Sequence, residues 1–117
     1  MIGRKKKESI TLMKNRLVFN SRIAKLIDWI LSKLTGTGIA GVVIFKTAYF
    51  PQSREDTSEA TIIHEKTHIR QQMEDGIKFY IRYYYELIKN LIIYRDYWKA
   101  HRNISYEIEA FEEAGQI

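Results

Sequence analysis

The chain has no cysteine. Disulfides, thiolate metal sites and cysteine nucleophiles are therefore excluded, and the redox compartment is left open. Any bound metal must be held by histidine and carboxylate. Long apolar runs are also missing. The stretch 38–45 is far shorter than the roughly 20 residues a membrane-spanning helix needs. The basic start is followed by polar residues and not by the apolar core of a signal peptide, so a cytoplasmic location is the expectation. Internal repeats and low-complexity tracts are absent as well.

The 117 residues, 45% of them hydrophobic, suit a single domain with one compact core. The formal net charge of +5 is concentrated in Arg4, Lys5, Lys6 and Lys7. A short basic tail is weak support for a nucleic-acid partner, and none is expected. Three regions are read within the domain: a basic flexible arm over 1–16, an amphipathic helix over 17–34, and the main body over 39–117. On the helix, Phe19, Ile23, Leu26, Ile27, Ile30 and Leu34 recur at helical spacing, with Arg22, Lys25, Asp28 and Lys33 off the stripe. The first reading is that this stripe packs on the core. The second is peripheral contact with a membrane surface through 17–34, with Trp29 and the lysines as anchors.

The run from Thr35 to Gly38 signals a turn, and the β-branched and aromatic stretch 39–50, closed by Pro51, reads as one or two short strands. Asp56 with Glu59 predicts an N-capped helix from Thr57 to Asp75, stopped by Gly76. A long amphipathic helix is expected over 77–100, with Ile77, Ile81, Tyr84, Ile88, Leu91 and Trp98 in its apolar stripe. Asn103 or Ser105 can cap a last helix that Gly115 ends. The fold class is α+β, mostly α, with a short edge strand or hairpin ahead of the 57–75 helix.

That helix carries His64-Glu65-Lys66-Thr67-His68. A spacing of four residues puts both imidazoles on one face, about one turn apart, where two ring nitrogens can reach one ion. Glu65 is rotated by about 100° from His64, a poor position for a ligand but a good one beside a metal-activated water. Zinc lowers the pKa of bound water from about 16 toward 7. A neighbouring carboxylate can then take the remaining proton as the water attacks a carbonyl carbon, and pass it to the leaving amine.

A third ligand has to come from elsewhere. Glu74 would lie about 9 Å along the helix axis beyond His68, too far to share its ion. Tyr106-Glu107-Ile108-Glu109-Ala110-Phe111 offers two carboxylates on a later segment. Here the chain resembles the gluzincins, zincin metallopeptidases in which an HExxH helix is followed by a helix with a Glu ligand in a Glu-x-x-Ala-like setting. The resemblance covers about 42–115 and implies His64, His68 and Glu107 as zinc ligands, with Glu109 the runner-up, and Glu65 as catalytic base. It also implies an edge strand, placed at 43–50, on which a peptide substrate adds. At Phe111 the chain departs from several gluzincin families that have an Asp supporting a zinc-bound His, a task left to Glu109 or Glu112. A Tyr or His is expected to stabilise the developing negative charge. The crowded tyrosines of 80–94 and His101 are read as packing and helix-end residues.

The expected function is that of a zinc metallopeptidase acting on a peptide or protein substrate. The alternative is a zincin-like structural or interaction protein with little or no turnover, a component of a phage particle or another larger assembly.

Overall fold

The computed structural model describes residues 16–116. The expected basic arm therefore lies, except for Arg16, outside the described residues. The elements in order are β1 (Leu17–Val18), α1 (Arg22–Thr35), β2 (Val42–Ile44), β3 (Thr47–Tyr49), α2 (Glu59–Asp75), α3 (Ile77–Tyr94), α4 (Tyr97–Arg102) and α5 (Ser105–Glu113). The domain is α+β and mostly helical, as the sequence predicts.

Local chemistry accounts for the boundaries, and several differ from expectation. The first helix does not begin at 17, because Leu17 and Val18 pair in parallel with Ala48 and Tyr49 of β3. It starts at Arg22 behind Ser21, whose hydroxyl accepts the Ala24 N–H at 3.2 Å. The 39–50 stretch splits into an antiparallel hairpin that pairs Val43 with Ala48. Its two-residue turn, Phe45 and Lys46, has φ of 46° and 66°, the geometry that matches strand twist in tight hairpins. The strand order β1-β3-β2 leaves β2 at an edge.

Ser58, not Asp56, caps α2, accepting the Thr61 N–H at 3.1 Å, while Asp56 closes a local turn with Ser53. The helix expected over 77–100 is two helices. Arg95 turns left-handed (φ 55°) after Tyr94, and Asp96 then caps α4 by accepting the Lys99 N–H at 3.1 Å. The capping residue of α5 is Ile104, which has no side chain to offer, so the cap comes from elsewhere: Glu86 of α3 accepts the Ser105 N–H at 2.8 Å and its hydroxyl at 2.9 Å.

Two apolar clusters flank α2. Ala48, Phe50, Ile62 and Ile69 join it to the sheet, and Phe79, Ile104 and Tyr106 join α3 to α5, with Tyr80, Tyr83 and Leu87 packed alongside. Between them α2 is buried on nearly all sides, and its second buried face carries His64, His68, Gln71 and Gln72 instead of hydrocarbon. Burying those polar groups is tolerable only because each finds a partner. Gln72 shows the pattern: its Oε1 accepts both the Lys46 N–H of the hairpin turn at 2.8 Å and the Tyr80 hydroxyl at 3.0 Å.

The amphipathic stripes behave differently from the first reading. On α1 only Ala24 is buried, and Ile23, Leu26, Trp29, Ile30 and Leu34 are exposed. On α3 the stripe Ile77, Ile81, Tyr84 and Ile88 is exposed, and the neighbouring face of Phe79, Tyr80, Tyr83 and Leu87 turns inward. No helix of the described residues is long and apolar enough to cross a membrane.

Candidate metal centre

The i,i+4 spacing on α2 sets the two imidazoles side by side, with ring centroids 5.0 Å apart. α5 packs along α2 and brings Glu107 to both rings. Its Oε1 lies 2.9 Å from His64 Nε2 and 3.0 Å from His68 Nε2, and all three residues are buried. Donor atoms of His64, Glu65 and His68 lie within 4.8 Å of one another. The sequence-predicted residues His64, Glu65, His68 and Glu107 thus come together. Glu109 faces another way, 2.7 Å from Gln71 Nε2 and 2.9 Å from Arg70 Nη2. Glu74 pairs with Arg70 at 2.7 Å.

The ring tautomers follow from the outer partners. The Gln71 amide donates through Nε2 to the Tyr106 carbonyl at 3.0 Å and to Glu109, so its Oε1 faces His68 Nδ1 at 2.8 Å. His68 must then carry its proton on Nδ1. His64 Nδ1 likewise faces Gln116 Oε1 at 2.9 Å. In the neutral rings both Nε2 atoms are bare lone pairs aimed at one carboxylate oxygen. Three lone-pair atoms converge stably only around a cation, which is a proton or a metal ion. Two imidazole nitrogens and one carboxylate oxygen, each oriented from behind, form a donor set that suits zinc. These residues fit such an ion.

Protonation of the histidines is the other way to meet this convergence, and it competes with a metal for the same lone pairs. Burial pushes the His68 imidazolium down, but the adjacent Glu107 carboxylate outweighs this and holds His68 at about 9. His64 is also raised: burial opposes its charge, and the Glu107 hydrogen bond and the Glu65 charge overcome that. Burial pushes Glu107 up, yet His68 and the hydrogen bonds from His101, His64 and His68 hold it well below the usual carboxylate range. Burial raises Glu65 against the pull of both histidines, and its Oε2 is buried with no hydrogen-bond partner. A buried carboxyl oxygen left without a partner is costly.

Sequence reasoning missed four residues. Tyr83 donates to Glu107 Oε2 at 2.6 Å, and His101 Nε2 lies 3.1 Å from the same oxygen. Neither is simply a packing or helix-end residue. Gln71 and Gln116 take the ring-supporting role expected of Glu109 or Glu112; Glu109 acts one step removed, through Gln71. Phe111 packs edge-on against His64, with centroids 4.6 Å apart. A Gln three residues after the second His was the one local signal, since it lies on the same helical face.

The centre opens into a cleft of about 360 Å³. One wall is the 38–43 segment leading into edge strand β2, with Ile27 and Leu31 of α1 behind it; the other is aromatic, with Tyr80, Tyr83 and Tyr84 of α3 and Tyr97 of α4. Gly41 is required by the close approach to Glu65: a Cβ there would sit 2.8 Å from Glu65 Cγ and 3.0 Å from Phe50. Asp28 of α1 holds the same segment by accepting the Ile39 N–H at 2.7 Å.

No family model, curated protein or solved structure matches this chain. Its function has to be read from the chemistry of its own side chains.

Proposed function

We propose that the chain is a zinc-dependent peptidase that cleaves an extended peptide lying along β2. The observation that carries this is the convergence of His64 Nε2, His68 Nε2 and Glu107 Oε1 beside the unpaired carboxylate oxygen of Glu65. Bound there, zinc would supply an activated water and polarise the scissile carbonyl. The outer edge of β2 offers backbone groups to a substrate strand, which would add as the fourth strand of the sheet. Glu65, which lines the cleft, accepts a proton from the attacking water and returns it to the leaving amine. Its raised affinity for protons suits both transfers. Of the aromatic donors lining the cleft, Tyr80 is committed to Gln72, and Tyr83 and His101 to Glu107, which leaves Tyr84 and Tyr97 to meet the negative charge on the carbonyl oxygen.

The test is to purify the chain without chelators, count zinc per chain and assay cleavage of a mixed peptide library. Wild type should hold one zinc and cleave. Glu65→Gln should keep the metal and lose roughly 10²–10⁴-fold in turnover. His68→Ala should lose the metal, and Glu107→Gln should bind it weakly. Zinc without cleavage in wild type would favour the scaffold alternative, and no zinc would sink the metal site.

A further inference from the structure

We infer that the exposed faces of α1 and α3 form a docking surface for an anionic lipid bilayer, with the mouth of the cleft between them. α1 buries only Ala24, so its apolar residues face solvent, Trp29 being 60% exposed and Leu34 77%. The inward side of this helix reaches the cleft through Ile27 and Leu31. Across the cleft, α3 exposes Ile77, Ile81 and Ile88, and Tyr84 both lines the cleft and stands 56% exposed at its rim. Contiguous apolar helix faces of this kind need a cover.

Charge selects which cover. The one acid of α1, Asp28, turns in to hold the Ile39 N–H, and the one acid of α3, Glu86, turns in to cap α5. Each helix therefore shows solvent apolar side chains together with cations: Arg22, Lys25 and Lys33 on α1, Lys78, Arg82 and Lys89 on α3, of which Arg82 is paired to Glu86 at 2.9 Å. A second copy would set the same cations against one another. An anionic lipid surface meets both properties, taking the apolar side chains below the headgroups and the ammonium and guanidinium groups at phosphate level. The sequence adds Arg4 to Lys7 to the same positive side of the balance. Docking does not depend on the peptidase reading. Its consequence, that substrates are segments of chain close to the membrane, does.

The experiment mixes the full-length protein with vesicles of phosphatidylcholine, with or without phosphatidylserine in part replacement, and reads co-sedimentation and tryptophan emission. A Trp29→Phe variant, which keeps Trp98, assigns the emission change. The expected result is binding to the anionic vesicles only, reversed by salt, with a blue shift that Trp29→Phe abolishes. Lys25→Glu with Lys33→Glu, and separately Ile81→Asp with Ile88→Asp, should each lower partitioning by more than about tenfold at unchanged helical circular dichroism. The charge reversal involves exposed residues alone and stays informative if the aspartate pair disturbs folding. Glu65→Gln should bind vesicles like wild type, which separates this question from catalysis. No binding by wild type, equal binding to neutral vesicles, binding unaffected by the charge reversal, or a dimer that the aspartate pair dissolves would each overturn the proposal.

Discussion

The two oxygens of Glu107 have separate tasks. Oε1 faces the two histidines, and Oε2 is held by Tyr83 and His101. A carboxylate pinned at one oxygen presents the other in a defined direction, which would make Tyr83 a positioning residue for the proposed metal centre. Gln71 does the same for His68. Partners of this kind typically contribute 10–100-fold in metal affinity. Tyr83→Phe and Gln71→Ala should therefore each weaken zinc binding by about 10–100-fold in competition against a chromogenic chelator, with the fold retained by circular dichroism. An unchanged affinity in both would mean that their hydrogen bonds serve packing alone.

At the level of elements, the helix bearing Glu107 depends on a cap supplied by a different helix. Burial pushes the Glu86 carboxyl up, but the Ser105 N–H and hydroxyl and the Arg82 guanidinium outweigh it and lower its pKa. A lowered folded-state pKa contributes stability that is present above the usual 4.5 and lost as pH falls through the folded value. Glu86→Gln should cost about 1 kcal/mol at neutral pH, in line with loss of a helix cap. In urea titrations this difference from wild type should shrink as the solution is acidified below pH 4.5. A gap that stays constant in acid would show that the charge of Glu86 is not what holds α5. The approach of the 38–43 segment to α2 predicts a second effect. Gly41→Ala should destabilise by about 1–3 kcal/mol through overpacking against Glu65 and Phe50. It should also depress peptide turnover more than zinc content, because Glu65 moves and the histidines do not.

For the whole molecule, Glu107 is the point where four helices meet: α2 through both histidines, α3 through Tyr83, α4 through His101 and α5 through its own backbone. An ion bound there would link segments far apart in sequence, so its binding free energy would add to folding stability. At free zinc about 100 times the dissociation constant the gain is about 2.7 kcal/mol. Chelation should lower the melting temperature of wild type in calorimetry and leave that of His68→Ala where it was. Equal shifts in both proteins would place the stabilising zinc elsewhere.

Sequence-level reasoning worked where the relevant geometry repeats within a few residues. The α-helical repeat alone sets His64 beside His68 and rotates Glu65 about 100° from His64, and strand-forming residues followed by Pro51 announce the hairpin region without its tertiary neighbours. Caps are local as well, yet Ser58 displaced Asp56 because two capping residues stood within one turn of each other, and the chain can use only one. Nothing local could reveal that Tyr83, His101 and Gln116 converge on the centre, since Gln116 reaches His64 across 52 residues and Glu107 across 43. The buried side of a helix is likewise a property of its neighbours. α2 buries polar residues that pair with α3 and α5, and α1 and α3 leave isoleucines and a tryptophan outside. Apolar periodicity marks which residues share a face; whether that face meets protein, lipid or water depends on how the other elements pack.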